Sequence, residues 1–171
     1  MDARQQRGAK GIVPVRPRTA HRSCDLESLW HYSIGAEVSV SERKRVNPWT
    51  WQDQYGFSQA IDVRDGNRVL YCAGQTSVDD QGNVLHAGDM AAQIGQALDN
   101  LEVVLRDAGL SLGHVVRLNY YTTDVPAFFG AAETLGRRLQ AAGIQPAGTL
   151  LGIASLFHPD ALIEIEATAV E

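Results

Sequence analysis

The chain has 171 residues, 44% of them hydrophobic and 20% charged, a balance that suits one globular domain with a real core. Its net charge of -5 is uneven: residues 1–46 hold nine Lys/Arg and five Asp/Glu, net +4, which leaves six and fifteen, net -9, in residues 47–171. An acidic body argues against phosphate-backbone binding. With no bilayer-length apolar run and no apolar leader, a cytoplasmic protein with neither nucleic-acid nor membrane partners is expected.

Residues 1–46 mix Arg, Gly, Pro and Ser without periodicity, apart from a short run near Leu26. They read as a flexible N-terminal extension to a domain over 47–171, and removing residues 1–45 is expected to leave folding intact. Cys24 and Cys72 form no CxxC pattern, and His21, His31, His86, His114 and His158 are scattered. No disulfide, metal or cofactor is expected.

From Asn47 the character changes. Trp49 and Trp51 read as packing residues and lead into a strand over 57–63. The Arg64-Asp65-Gly66-Asn67 turn then returns the chain in a second strand over 68–73, a hairpin pattern. Gly74, Gln75 and Thr76 stand at the strand end, where a glycine admits a bulge or a ligand close to the backbone. Asp89 is placed to cap a helix to about residue 108, with Ile94, Ala97, Leu101, Val104, Leu105 and Ala108 on one face and Gly109 as the stop.

The next strand, 114–122, puts Val116, Leu118 and Tyr120 on one face and Arg117, Asn119 and Tyr121 on the other. Asp124 caps a second helix with Pro126 in its first turn, Phe128, Ala131, Leu135 and Leu139 at core spacing, and Gly143 beyond its end. Two apolar runs, 149–156 and 161–170, flank a His-Pro-Asp turn and read as a closing antiparallel hairpin. In the second run Ile163, Ile165, Ala167 and Ala169 face the core, while Glu164 and Glu166 face away with Arg117, Asn119, Tyr121 and Leu150. The order β-β-α-β-α-β-β predicts an α+β sheet with both helices on one face. The mixed polar and apolar opposite face predicts a subunit interface with clefts.

Several separated motifs carry a resemblance. Phe57-Ser58-Gln59-Ala60, Ala73-Gly74-Gln75, Ala92-Gln93 with Ala97-Leu98-Asp99-Asn100-Leu101, Ala108-Gly109-Leu110, Val115-Val116, Pro146-Ala147 and Ile163-Glu164-Ile165-Glu166-Ala167 together resemble the RidA/YjgF family of imine deaminases, once labelled endoribonuclease L-PSP. The resemblance runs over roughly residues 48–170. It implies a chorismate-mutase-like fold, a homotrimer, and clefts between subunits where a small imine or enamine acid such as 2-iminobutanoate or 2-iminopropanoate is hydrolysed to a keto acid and ammonia.

Carried over residue by residue, Gly74 is the backbone position beside the ligand, with Gln75 shaping the pocket, and Glu164 is the carboxylate that orients water. The chain departs from the pattern at four places. Gly148 stands where catalytic members have a carboxylate-binding arginine, Phe57 replaces a tyrosine, Ala132 an asparagine and Leu150 a cysteine. Arg117 is a candidate to hold a substrate carboxylate or to pair with Glu166, and both readings stay open. A deaminase-type hydrolase for a less anionic substrate and a non-catalytic metabolite-binding trimer are the two expectations. A ribonuclease or translation inhibitor is disfavoured by the acidic body.

Overall fold

Two aspartates open the helical segments. In the computed structural model, which describes residues 41–51 and 53–171, Asp89 Oδ1 accepts from the Ala92 N–H at 3.0 Å and α1 follows over Met90–Asp107. Asp124 likewise accepts from the Ala127 N–H at 2.9 Å and starts α2, Val125–Gly130. Caps of this kind contribute about 1 kcal/mol each. The second helical segment is jointed rather than continuous. At Ala131 (φ -102°, ψ 1°), beside the poor helix former Gly130, the chain leaves helical geometry, and α3 starts afresh over Ala132–Ala141.

Four strands form the main sheet: β3 (Val69–Thr76), β4 (Val115–Thr122), β5 (Ala147–Gly152) and β6 (Ile163–Val170). Their order is β3-β6-β4-β5, antiparallel except for the parallel pair β4 and β5. The expected terminal hairpin is therefore not formed. The α2–α3 crossover lays β5 parallel to β4 at the sheet edge, and the following loop returns β6 to the centre between β3 and β4. A central place suits β6, whose Ile163, Ile165 and Ala169 are fully buried.

The other expected hairpin is also replaced. β1 (Glu42–Val46) and β2 (Ala60–Arg64) pair as a separate antiparallel ribbon. The turn after β2 is claimed by the chain end instead: the Asn67 N–H donates to Glu171 O at 2.8 Å, and the Glu171 N–H to Arg68 O at 3.0 Å. Thus residues 42–46, read from sequence as part of the extension, make a strand. Arg43 anchors it by donating to Gly113 O at 2.6 Å and to Val170 O at 2.7 Å. The rest of that extension, residues 1–40, lies outside the described residues.

One side of the sheet is covered by helices. Ile94, Ala97, Leu98, Leu101 and Leu105 of α1 pack with Leu118, Ile163, Ile165 and Ala169, all fully buried, and Phe128, Leu135 and Leu139 complete the same core. This is the α+β architecture expected. In β4 the core position moves by one: Val115 is buried and Val116 only half-buried, because the β4–β6 register shifts between Val115 and Arg117.

Two side-chain amides, Gln93 fully buried and Asn100 half-buried, fix the strand ends. Gln93 Nε2 donates to His86 O (3.2 Å) and Asp160 O (2.7 Å), and its Oε1 accepts from the Leu162 N–H (2.8 Å), which pins the entry to β6. Asn100 Nδ2 donates to Thr76 O and Val78 O, both at 2.9 Å, which pins the exit from β3. The two helix motifs quoted above thus hold in place the strands that carry Glu164 and Gly74. Arg138 of α3 adds a clamp onto α1 through Asp99 (2.8 Å) and Glu102 (2.6 Å).

Candidate functional site on the open face of the sheet

The register of β3 against β6 passes from Cys72 opposite Ala167 to Gln75 opposite Ile165. Ala73 and Gly74 therefore share one partner position, Glu166, and form a bulge. A Cβ placed on Gly74 would lie 1.7 Å from Glu164 Oε1 and 2.4 Å from Glu164 Cδ. The carboxyl group of Glu164 occupies the space that this glycine leaves. Gln75 stands at the far side of the bulge, its Nε2 donating to Ala73 O at 3.3 Å.

On the other flank of β6, Tyr121 pairs with Glu164 and Asn119 with Glu166. Asn119 Nδ2 donates to Glu166 Oε1 at 2.5 Å, and Arg117 Nε donates to Asn119 Oδ1 at 3.1 Å. Arg117 therefore reaches Glu166 through Asn119 rather than by direct pairing. Desolvation, the Glu166 carboxylate that accepts from the Tyr121 hydroxyl, and then Glu164 hold that hydroxyl above its ordinary pKa, with Arg117 opposing. Gly74, Tyr121, Glu164, Glu166, Asn119 and Arg117 make one polar group on the open face.

Phe57, Gly148 and Leu150 are not part of it. Phe57 precedes Ser58, whose N–H donates to Pro146 O (3.1 Å) and whose Oγ donates to Gln145 O (2.7 Å) at the start of β5. Leu150 pairs with Tyr120 and packs against the core, on the helix side of the sheet and not on the face of Asn119 and Tyr121 as expected. Gly148 points the same way: a Cβ there would meet Leu118 O at 3.4 Å and Tyr120 Cε2 at 3.6 Å. Gly148 pairs with Leu118, three residues along β4 from Tyr121, so it lies about 10 Å down the strand from the level of Glu164, while Leu150 is separated from Glu164 by the face it points to rather than by distance along the strand.

From sequence the two tryptophans are expected to pack. Trp49 and Trp51 are in fact 59% and 54% exposed, and Trp51 makes edge contacts with Tyr55 (6.5 Å) and Phe57 (5.9 Å) between ring centroids. The aromatic residues crowded over 49–57 were the available signal. Their exposure depends on how the 47–57 loop leaves the ribbon.

The chain resembles known proteins over most of its described length. The family model for endoribonuclease L-PSP matches residues 52–171. The chain belongs to that family, also known as RidA/YjgF. It is 32% identical to Protein DfrA of Myxococcus xanthus over 67% of this chain and 84% of that protein. With the 2-iminobutanoate/2-iminopropanoate deaminase of Mus musculus it shares 31% identity over 67% of this chain and 81% of that one. A solved Rid-family protein of unknown function, YyfB from Yersinia pestis, superposes with a TM-score of 0.68 at 35% identity, covering 75% of this chain and 98% of its own. Like the fold, the RidA/YjgF membership expected from sequence stands. Among the described residues, no helix is long and apolar enough to cross a membrane.

Proposed function

We propose that this RidA/YjgF protein is a homotrimer that binds a small imine or enamine metabolite in clefts between copies and hydrolyses its C=N bond, with Glu164 as the catalytic carboxylate. The observation that carries this reading is the cradle at Gly74, which admits the Glu164 carboxyl group beside an exposed strand bulge. A carboxylate so held accepts a hydrogen bond from water and directs its oxygen at the imine carbon. The amino alcohol that results collapses with loss of ammonia. Such general-base assistance contributes roughly 10²–10⁴-fold.

A second copy is called for on two grounds. The open face carries Tyr71, 79% exposed, and Leu151, 49% exposed, which a partner would cover. The Glu164 group and the Phe57–Gly148 group also stand apart on one protomer, so a pocket using both is assembled from two chains. Gly74, Gln75, Tyr121 and Glu164 would come from one copy, and Phe57 and Gly148 from its neighbour.

The second reading, a trimer that binds a metabolite without turning it over, is favoured by Gly148 and Phe57, which remove a guanidinium and a hydroxyl from the family's pattern. One experiment separates the two. Imine hydrolysis is followed by loss of semicarbazide trapping, with wild type and Glu164→Gln side by side and light scattering on the same sample. Trimeric wild type that accelerates hydrolysis at least about 10²-fold over the variant supports catalysis. A trimer with equal, background rates leaves the binding reading, and a monomer overturns both.

A further inference from the structure

We propose that the Tyr121 hydroxyl binds the nitrogen of the substrate's C=N bond, with Glu166 as the carboxylate behind it. The two glutamates of β6 then divide the work, Glu164 serving the water and Glu166 the nitrogen. This rests on the imine-hydrolysing site proposed above and assigns the residues that hold the leaving group.

Strand register carries the inference. Tyr121 pairs with Glu164 across β4 and β6, and cross-strand partners hold their Cβ atoms about 5 Å apart on one face. From there the two polar ends part. The Glu164 carboxyl group turns toward β3 and fills the gap at Gly74. The Tyr121 hydroxyl donates instead to Glu166, which stands on the same face about 7 Å along β6. Glu166 is held in turn by Asn119 Nδ2 at 2.5 Å, and Asn119 Oδ1 by Arg117 Nε at 3.1 Å. Arg117, Asn119 and Glu166 thus form one chain of hydrogen bonds, and it ends on a half-buried hydroxyl beside the catalytic carboxylate.

A phenol has one proton to give and lone pairs with which to accept. Here the proton is directed at Glu166, and desolvation and the two carboxylates keep it on the phenol. The oxygen is left as an acceptor, polarised by the anion behind it. A protonated imine presents N–H donors and positive charge, the combination that such an acceptor binds best. With its nitrogen on Tyr121 Oη and a water on Glu164, the C=N bond lies between the two and turns its carbon to the water. The balanced step is R₂C=NH₂⁺ + H₂O → R₂C=O + NH₄⁺. Glu164 takes one proton from the water as the C–O bond forms and returns it to the nitrogen. The second water proton follows as the C–N bond breaks, and Tyr121 keeps its own throughout.

The test uses acetamidinium, a stable planar cation with a C=NH₂⁺ group, against neutral acetamide of the same shape. Both are measured as competitive inhibitors of wild type, Tyr121→Phe and Glu166→Gln, with the imine released from 2-aminobutanoate by an amino-acid oxidase and hydrolysis read from loss of semicarbazide trapping. In wild type the inhibition constant is expected to be at least about fivefold lower for acetamidinium, and Tyr121→Phe to lose that preference and about tenfold or more in kcat/KM at unchanged Tm. Glu166→Gln, which keeps the hydroxyl and loses the charge behind it, is expected to fall between the two. Tyr121→Phe that matches wild type, or that is slower yet keeps the preference for acetamidinium, overturns the inference and leaves the hydrolase standing. Should Tyr121→Phe fail to fold, Glu166→Gln decides, and an unchanged preference there overturns the inference. Absence of hydrolysis by wild type overturns both.

Discussion

The missing Cβ of Gly74 and the carboxylate of Glu164 occupy the same space, with 1.7 Å between where one would be and where Oε1 of the other is. Gly74 does not have the positive φ that would demand glycine on backbone grounds. The position needs glycine because the Glu164 carboxyl group fills the gap.

Gly74→Ala is therefore expected to displace Glu164 while leaving the fold in place. The atoms it meets belong to a side chain that rotates away, at a cost of about 1 kcal/mol. Hydrolysis is expected to fall about 10²-fold. In Glu164→Gln, already lacking the carboxylate, the added Gly74→Ala is expected to do little more. Comparable additive losses in the double variant would show that Gly74 acts elsewhere.

Gln93 is fully buried and serves three backbone groups. Gln93→Ala strands His86 O, Asp160 O and the Leu162 N–H, and an unmade buried hydrogen bond costs about 1–3 kcal/mol. A loss of about 3 kcal/mol in urea denaturation is expected, together with weaker catalysis because Leu162 leads directly into Glu164. A change below 1 kcal/mol would mean that water replaces the amide.

The ribbon strand β1 should make the position of a truncation matter. A chain starting at Asn47 loses the β1–β2 pairing and both carbonyl contacts of Arg43. Each hydrogen bond from a charged donor contributes about 1.5–3 kcal/mol. Its Tm is expected to lie several degrees below that of a chain starting at Ser41, and Arg43→Ala in the longer chain should reproduce part of that loss. Equal melting of the two truncations would show that β1 adds nothing.

Burial holds the Tyr120 phenol well above its ordinary pKa, so the fold favours the protonated form. The stability this represents is whole below about pH 10, where the unfolded chain also keeps the proton. It is lost as pH rises further and the unfolded chain ionises first. Tyr120→Phe is expected to flatten the alkaline fall in stability while changing little at pH 7. Cys72 and Tyr121, also raised, keep some slope. An unchanged alkaline limb in denaturation from pH 8 to 11 would assign the effect to those groups instead.

Local patterns in the sequence were enough for what depends on neighbours along the chain. Asp89 and Asp124 announced the helix starts, period-two alternation placed Ile163 and Ile165 inward and Glu164 and Glu166 outward, and the separated motifs identified the RidA/YjgF family. Only the tertiary structure decided which strands meet. Two apolar runs joined by a turn signal look like a hairpin whether or not a third strand lies between them, and β4 does lie between β5 and β6. That insertion turned Leu150 and Gly148 toward Tyr120 instead of toward Glu164. Likewise, Asp65-Gly66 promised a hairpin that the chain end outcompeted by pairing with Asn67 and Arg68. Strand order, register and the bulge at Gly74 arise from hydrogen bonds between residues tens of positions apart. Those bonds leave no mark on local periodicity, because any apolar strand supplies the same backbone donors and acceptors to whichever neighbour the packing of the helices brings alongside.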